Sequence, residues 1–323
     1  MLAHLVLRGR GNALGMPLDS CNSEPMATAL SKLPDERFLV PVEGGRLAVF
    51  RYGPKGGKPI LLIHGVTSTN RAWQFLAVQL EKRGYSAYAV DLRGRGDSNT
   101  LSGPFGMKSH ARDMVAVIDY LGLETIEVLG HSMGAFVAVA LVGNYPHRVS
   151  RTVLVDGGIP LPLPAGMTVA QVLPFVLGRA LTRLSMEFES YETYRNYWKA
   201  NPALANWVPE LDEYADYDLR GEAPHLRPST NAKAVEEDST DLFVSDVITE
   251  SLKGLREEVL LVRAERGLQN ETTPLYPLDV LEHALVEFPK ISIRTIDDVN
   301  HVDIVLSAAG AEKTANAIFD SKR

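Results

Sequence analysis

The five residues Gly-His-Ser-Met-Gly at positions 130–134 constrain the fold more than any other part of the chain, because two different patterns meet there. Residues 125–129 are mostly β-branched or apolar, whereas residues 133–142 form an apolar run that is too long for an ordinary strand. Together they predict a strand, a tight turn that carries Ser132, and a buried helix. A serine there lies at a helix N-terminus, where free N–H groups favour negative charge; the simpler alternative is a serine that only caps the helix.

Strand and helix patterns alternate through most of the chain, and this order predicts a parallel sheet wrapped by helices. Gly84 and Gly122 end two of the predicted helices. The predicted strands cover residues 38–42, 46–52, 59–63, 86–90, 125–129, 151–155, 259–262 and 291–296. The predicted helices cover residues 71–83, 109–121, 133–142, 277–287 and a final stretch that begins near residue 310.

The alternation stops near residue 160, where three prolines interrupt the segment 159–164. The residues that follow are rich in Tyr, Trp, Met and Leu, and they carry helical patterns at 169–184, 191–199 and 242–252. We therefore expect a helical segment, residues 160–253, inserted into an α/β core made of residues 37–159 and 254–323.

The first 36 residues show no consistent strand or helix pattern and contain many turn formers, so residues 1–36 are predicted to be a flexible extension. Met26 is an alternative start of the chain. Residues 1–10 lack the apolar stretch and the cleavage site of a signal peptide.

Composition excludes several classes of function. The net charge of -7 disfavours a nucleic-acid binder, because phosphate binding needs a basic surface. A single cysteine, Cys21, excludes an intramolecular disulfide and favours a reducing compartment, so we expect a cytoplasmic protein. No apolar run is long enough to span a bilayer, no cluster has metal-ligand spacing, and no cofactor is expected. A small molecule is the expected partner, and a homodimer is left open.

Four stretches, in the expected order, resemble the α/β-hydrolase superfamily in the branch that carries an inserted cap. The resemblance covers residues 38–320 and implies a mostly parallel eight-stranded sheet flanked by helices, with residues 160–253 as a helical cap. It also implies that Ser132 is a nucleophile. The four stretches are Leu62–Val66 (Leu-Ile-His-Gly-Val), Asp91–Ser98 (Asp-Leu-Arg-Gly-Arg-Gly-Asp-Ser), Gly130–Gly134 and Asn300-His301.

The same resemblance implies roles for two further groups. His301 follows the last predicted strand, where the family has its general base. The backbone N–H groups of Val66 and Met133 are the implied oxyanion donors. His64 is assigned to bracing the oxyanion loop, and the other histidines, His131 and His110 among them, to solvated or capping roles.

The acid departs from the family pattern. After the strand 259–262 the family usually has Gly-x-x-Asp, but this chain has Ala264-Glu265-Arg266-Gly267. Asp156 is the preferred acid, because it ends the strand after the nucleophile helix and a buried carboxylate can fix the imidazole tautomer. Glu265 is the main alternative and Glu271 a further one, and a structural role for Asp156 is also left open.

The implied activity is hydrolysis of a carboxylic ester or lactone through an acyl-enzyme on Ser132. Trp198, Phe188 and Met186 are predicted to contact a hydrophobic substrate, the alternative being that they only pack cap helices together. Two other functions remain open: carbon–carbon bond hydrolysis of a ring-cleavage product, and a small-molecule receptor built on a hydrolase fold.

Overall fold

The computed structural model describes residues 29–320, which form ten strands and eleven α-helices. The strands are, in chain order, β1 (Glu36–Val42), β2 (Gly45–Tyr52), β3 (Lys58–Ile63), β4 (Tyr85–Val90), β5 (Ile126–His131), β6 (Val149–Val155), β7 (Leu219–Arg220), β8 (Arg227–Pro228), β9 (Val259–Ala264) and β10 (Ile291–Ile296). The helices are α1 (Gln74–Lys82), α2 (Met107–Tyr120), α3 (Met133–Asn144), α4 (Val169–Leu184), α5 (Tyr191–Lys199), α6 (Leu211–Tyr217), α7 (Ala232–Thr240), α8 (Asp246–Lys253), α9 (Leu278–Glu287), α10 (Asp303–Leu306) and α11 (Ala308–Phe319).

Eight of these strands form one sheet in the order β1-β2-β4-β3-β5-β6-β9-β10. Strand β2 pairs antiparallel with β1 and β4, and the other neighbours pair in parallel. The predicted mostly parallel, eight-stranded sheet is therefore confirmed. Because β5 and β6 are neighbours, Ser132 and Asp156, which follow them directly, emerge side by side at the carboxyl edge of the sheet.

Helices cover both faces of the sheet, because its central strands are apolar on both sides. In β3, Leu61 and Ile63 belong to the core shared with α2, α3 and α8, whereas Ile60 and Leu62 belong to the core shared with α1, α10 and α11. Side chains alternate along a strand, so one strand supplies both cores. Helix α3 is buried from Met133 to Leu141, since it packs against β5 and β6 on one side and α2 and α8 on the other.

The segment between β6 and β9 contains helices α4 to α8 and the small sheet of β7 and β8. Helices α4 and α5 cover the predicted residues, whereas the helix predicted at 242–252 is observed as α8 and starts later. The sequence patterns do not predict α6 and α7. Both are short and polar, and in α7 the side chain of Asn231 caps the helix N-terminus.

The predicted flexible extension, residues 1–36, lies mostly outside the described residues. Its last part contacts the core: the backbone N–H of Lys32 donates to Gln74 O at 3.0 Å, and its ammonium lies 2.9 Å from the Glu81 carboxylate. Across residues 29–320, no helix is both long enough and apolar enough to cross a bilayer.

Candidate active site

Ser132 occupies the turn between β5 and α3 in a conformation that side chains rarely adopt. Its φ is 55° and its ψ is -125°, a strained combination for any residue other than glycine. The surrounding backbone is packed so closely that a Cβ at Gly134 would lie 1.9 Å from Ile63 O, and a Cβ at Gly157 would lie 2.2 Å from Ser132 O. The turn therefore holds the serine at the N-terminus of α3.

His301 lies beside Asp156 at the carboxyl edge of the sheet. The Nδ1–H of His301 donates to Oδ2 of Asp156 at 2.7 Å, and Oδ1 of Asp156 accepts from the backbone N–H of Ala264 at 3.1 Å. Asp156 is fully buried and, like Ser132, has a positive φ, of 44°. The bond at Nδ1 fixes the histidine tautomer and leaves Nε2 available as a base.

The alternative acids lie elsewhere. Glu265 is exposed and accepts a hydrogen bond from the backbone N–H of Asp298 at 2.8 Å. Glu271 is also exposed and accepts from the N–H of Gln269 at 2.7 Å. Of the carboxylates considered from the sequence, the structure brings Asp156 to His301.

The loop after β3 runs next to Ser132, since a Cβ on Gly65 would lie 3.1 Å from the serine Cβ. His64 is fully buried, and its Nε2 accepts from the Leu92 N–H at 3.0 Å, so its proton is on Nδ1, which donates to Gly65 O at 2.7 Å. Burial lowers the pKa of His64 to about 3, which keeps the ring neutral.

The hydrogen bond from His64 Nδ1 to Gly65 O sets the direction of one predicted oxyanion donor. Because a peptide is trans and planar, fixing Gly65 O also fixes the opposite N–H, which belongs to Val66. The next carbonyl, Val66 O, accepts from Nε of the buried Arg95 at 3.0 Å. The second predicted donor, the N–H of Met133, is in the first turn of α3, where backbone N–H groups have no partner within the helix.

His131, which precedes the serine, has a different role from the predicted one. It is buried, and its Nε2–H donates to the backbone carbonyl of His301 at 2.8 Å, with the two rings 4.8 Å apart. Burial and the neighbouring His301 lower its pKa well below 6.5, so the ring is neutral. The predicted solvated or capping role is therefore wrong for His131, which instead supports the loop of His301.

A cavity of about 130 Å³ opens over Ser132 and His301. Its floor comes from the loop after β3, and its opposite wall comes from α4 and α5. The polar side chains that line it, besides Ser132 and the two histidines, are Thr67, Ser68, Arg179, Arg183, Tyr197, Trp198, Asn201, Tyr214 and Gln269. In residues 29–320, no group of three or more His, Cys, Asp or Glu side chains is arranged to hold a metal ion.

The three residues predicted to contact the substrate lie in two different places in the structure. Trp198 lines the cavity, whereas Phe188 and Met186 are not among its described lining residues. Phe188 is buried in a small core of its own, with its ring 4.6 Å from that of Tyr194, and Met186 packs against the same core. Phe188 and Met186 therefore pack the inserted segment, which is the alternative that the sequence left open.

Two arginines of α4 are among the cavity residues that the sequence patterns did not predict. Arg179 and Arg183 are four residues apart, so both lie on one face of the helix. That spacing was visible in the sequence, but which face α4 turns towards the core was not.

Comparison with known proteins gives three related findings. A family model described as alpha/beta hydrolase fold matches residues 58–207. The chain is 30% identical to N-formylmaleamate deformylase of Pseudomonas putida over 266 residues, which cover 81% of this chain and 88% of that protein. It is 31% identical over 129 residues to 2-hydroxy-6-oxononadienedioate/2-hydroxy-6-oxononatrienedioate hydrolase of Escherichia coli O81, covering 38% of this chain and 44% of that protein.

Among solved structures, E-2-(acetamidomethylene)succinate hydrolase superposes with a TM-score of 0.73. The superposition covers 88% of this chain and 99% of that chain, at 20% sequence identity. A likeness at this identity concerns the arrangement of strands and helices.

Proposed function

Because the chain belongs to the alpha/beta hydrolase fold family, we propose that it is a serine hydrolase that cleaves a carboxylic ester or lactone through an acyl-enzyme on Ser132. One observation carries the proposal. The hydrogen bond between His301 and Asp156 lies at the wall of a cavity that Ser132 also lines. Nucleophile and base thus line a space in which a carbonyl group can bind, and the orienting acid is bonded to the base.

The proposed reaction has two halves. His301 Nε2 takes the proton from Ser132 Oγ, which attacks the carbonyl carbon, while the N–H groups of Val66 and Met133 hold the oxyanion. Collapse expels the alcohol, which receives the proton from His301. His301 then deprotonates a water that attacks the acyl-enzyme, and the carboxylic acid leaves as Ser132 regains its proton. Asp156 stabilises the imidazolium in both halves.

The inserted segment 160–253 is proposed to act as a cap that selects the substrate. Five residues of α4 and two of α5 line the cavity, at positions 176, 177, 179, 180 and 183 and at 197 and 198. The cap also joins the catalytic edge through the guanidinium of Arg183, which donates to Thr67 O at 3.0 Å.

Carbon–carbon bond hydrolysis stays a second candidate, since one relative is named for a 2-hydroxy-6-oxo dienedioate, a compound without an ester group. The same serine, histidine and aspartate would serve it. The names of two relatives also specify carboxylates, maleamate and nonadienedioate, so acidic substrates belong in any screen.

The test uses the purified full chain. A fluorophosphonate probe is expected to label Ser132, with no labelling of Ser132→Ala at the same protein concentration. Turnover of p-nitrophenyl esters of graded chain length, several lactones and a ring-cleavage dienone then separates the candidates. We expect Ser132→Ala to lose about 10⁶-fold in kcat on the substrate that is turned over. A wild-type serine that resists the probe would contradict the catalytic proposal and favour a receptor.

A further inference from the structure

One face of α4 closes the cavity opposite the serine. Besides Leu177, the residues Val176, Arg179, Ala180 and Arg183 line the cavity and follow the spacing i, i+3, i+4 and i+7, which places these four along one side of the helix. Two of the four are arginines. Like charges four residues apart destabilise a helix, so this arrangement needs an explanation beyond helix formation.

Arg183 is almost fully buried, and most of its donors are used. One terminal nitrogen donates to Tyr194 and Asp218, and the other to Thr67 O. Its Nε is buried and has no hydrogen-bond partner among the described residues. The guanidinium also lies 4.7 Å from the Trp198 ring, which itself lines the cavity. Arg183 is thus a fixed cation with one N–H donor unused.

The pairing with Asp218 keeps Arg183 charged. Burial alone would lower the pKa of the guanidinium, but Tyr194 and Asp218 outweigh it and raise the pKa. Asp218 in turn accepts from the Ser229 hydroxyl at 2.7 Å with its other oxygen and does not line the cavity. Asp218 therefore pairs with Arg183 without lining the cavity.

Arg179 differs in that its charge is not balanced. It lines the cavity but is exposed as a residue, and within residues 29–320 it forms no salt bridge. Its guanidinium lies 5.5 Å from the Tyr197 ring, which holds it at the cavity. Arg179 thus brings a positive charge that a ligand can neutralise.

The charges of the cavity oppose those of the whole chain. The described lining includes two arginines and no aspartate or glutamate, although the chain as a whole carries a net charge of -7. A concave site lined by one sign of charge attracts ligands of the other sign. The guanidinium of Arg179 supplies charged donors that suit a carboxylate, and the fixed charge of Arg183 lies on the same face of α4.

We propose that the substrate is an acyl compound that carries a free carboxylate, such as the half-ester of a short dicarboxylic acid, and that Arg179 and Arg183 bind this carboxylate. The inference rests on the proposed function for the identity of the bond that breaks, but not for the recognition of the charge.

The kinetic experiment compares two esters that differ only in charge, p-nitrophenyl hydrogen adipate and p-nitrophenyl methyl adipate. Both release p-nitrophenolate, so the ratio of their kcat/KM values reports the carboxylate alone. We expect the wild type to prefer the charged ester by about 10-fold or more, the range of a charge-assisted hydrogen bond. In Arg179→Gln the ratio should fall about 10-fold, and Arg179→Lys should restore part of it.

Arg46→Gln is the matched control, because Arg46 is an exposed arginine of β2 that does not line the cavity. It changes the net charge by the same amount and should keep the wild-type ratio. Arg183 is not used as the main test, since removing it would leave Asp218 buried and unpaired.

A binding experiment separates this inference from the proposed function. Calorimetry with Ser132→Ala measures monomethyl adipate against dimethyl adipate, which requires no turnover. Binding of the monoester that weakens about 10-fold on adding Arg179→Gln supports the subsite even if neither ester is cleaved. Equal binding of the two compounds, or a preference that survives Arg179→Gln, overturns the inference even if the esters are cleaved.

Discussion

Between residues 29 and 320, two buried histidine–aspartate pairs are present, and one of them is at the cavity. His301 and Asp156 form a 2.7 Å hydrogen bond at the carboxyl edge of the sheet. His110 of α2 and Asp238 of α7 form a similar pair, with Nε2 of the histidine 3.0 Å from both carboxylate oxygens. Both aspartates are fully buried. Burial and pairing therefore do not distinguish a candidate catalytic pair from a structural one.

The two pairs differ in the other groups that contact the aspartate and in the surroundings of the histidine. His301 uses Nδ1 for its aspartate and lines the cavity together with Ser132. Asp238 has Arg95 as a third partner, at 2.5 Å, and also accepts from the Gly106 N–H at 2.6 Å. Its histidine, His110, is fully buried. The second pair thus belongs to a buried cluster of Arg95, His110 and Asp238, hereafter the Asp238 cluster.

The largest expected effect concerns the pair at the cavity. Asp156→Asn should lower kcat about 10⁴-fold in a folded protein, because the amide no longer fixes the tautomer or stabilises the imidazolium. Steady-state kinetics on the best ester measure it, with circular dichroism to check the fold. Glu265→Gln is the control and should keep kcat near the wild-type value, since Glu265 bonds to Asp298 rather than to His301. Loss of turnover in Glu265→Gln alone would reverse the assignment.

The equivalent change in the Asp238 cluster should act on stability instead. Asp238→Asn should lower the free energy of unfolding by about 3–5 kcal/mol, because it leaves the buried guanidinium of Arg95 uncompensated. Urea unfolding at pH 7 measures it. The loss of kcat in the folded variant should be far smaller than that of Asp156→Asn. A variant of unchanged stability that has lost turnover would break the distinction between the two pairs.

The Asp238 cluster should also make the free energy of unfolding depend on pH in the acidic range. Burial alone would raise the pKa of the Asp238 carboxyl, but the charges of His110 and Arg95 outweigh it and lower the pKa below its ordinary value of 3.8. The pKa of Asp238 is lower in the folded protein than in the unfolded chain. The carboxylate therefore contributes fully to stability above the pKa of the unfolded chain, and this contribution is lost as the pH falls towards the pKa in the folded protein.

Unfolding of the wild type and of Asp238→Asn at a series of pH values checks this sign. The difference between their free energies of unfolding should shrink as the pH falls from about 5 to about 3. A difference that stays constant or grows over this range would mean that Asp238 does not have the lower pKa in the folded protein.

The smallest expected effect concerns the support of His301. His131→Phe keeps a ring beside His301 but removes the donor to its carbonyl, and one such hydrogen bond corresponds to about a fivefold loss in kcat. Because the His131 ring is neutral, the size of the loss should be the same at pH 6 and pH 8. His283→Phe, on the exposed face of α9, is the control for a histidine that contacts no part of the site. A loss confined to pH 6 would instead indicate a charged His131.

The sequence predicts the parts of the molecule that local patterns encode. The alternation of strands and helices depends on apolar period, and the strand, turn and helix around Ser132 are observed at the predicted place. Asp156 was preferred for the same reason, since it ends a strand. Its contact with His301 depends in addition on the pairing of β6 with β9 and of β9 with β10, which brings together residues far apart in the chain.

What the sequence does not predict depends on how separate parts dock. The solvated or capping role predicted for His110 is wrong, because α7 covers His110 with Asp238, which is 128 positions later in the chain. The polar sequence of α7 has no apolar stripe that would announce such packing. The inward face of α4, with Arg179 and Arg183, is likewise set by the docking of the inserted segment.

The Asp238 cluster has a consequence for building chimeras. Asp238 comes from the inserted segment, whereas Arg95, His110 and Gly106 belong to the core, so the cluster is assembled across the junction. An insert transplanted from a relative without an acid at this point would bury a guanidinium against nothing of opposite charge. The insert therefore cannot be exchanged freely. An insert grafted onto this core needs an acid at the position of Asp238, or Arg95 and His110 of the core have to be redesigned.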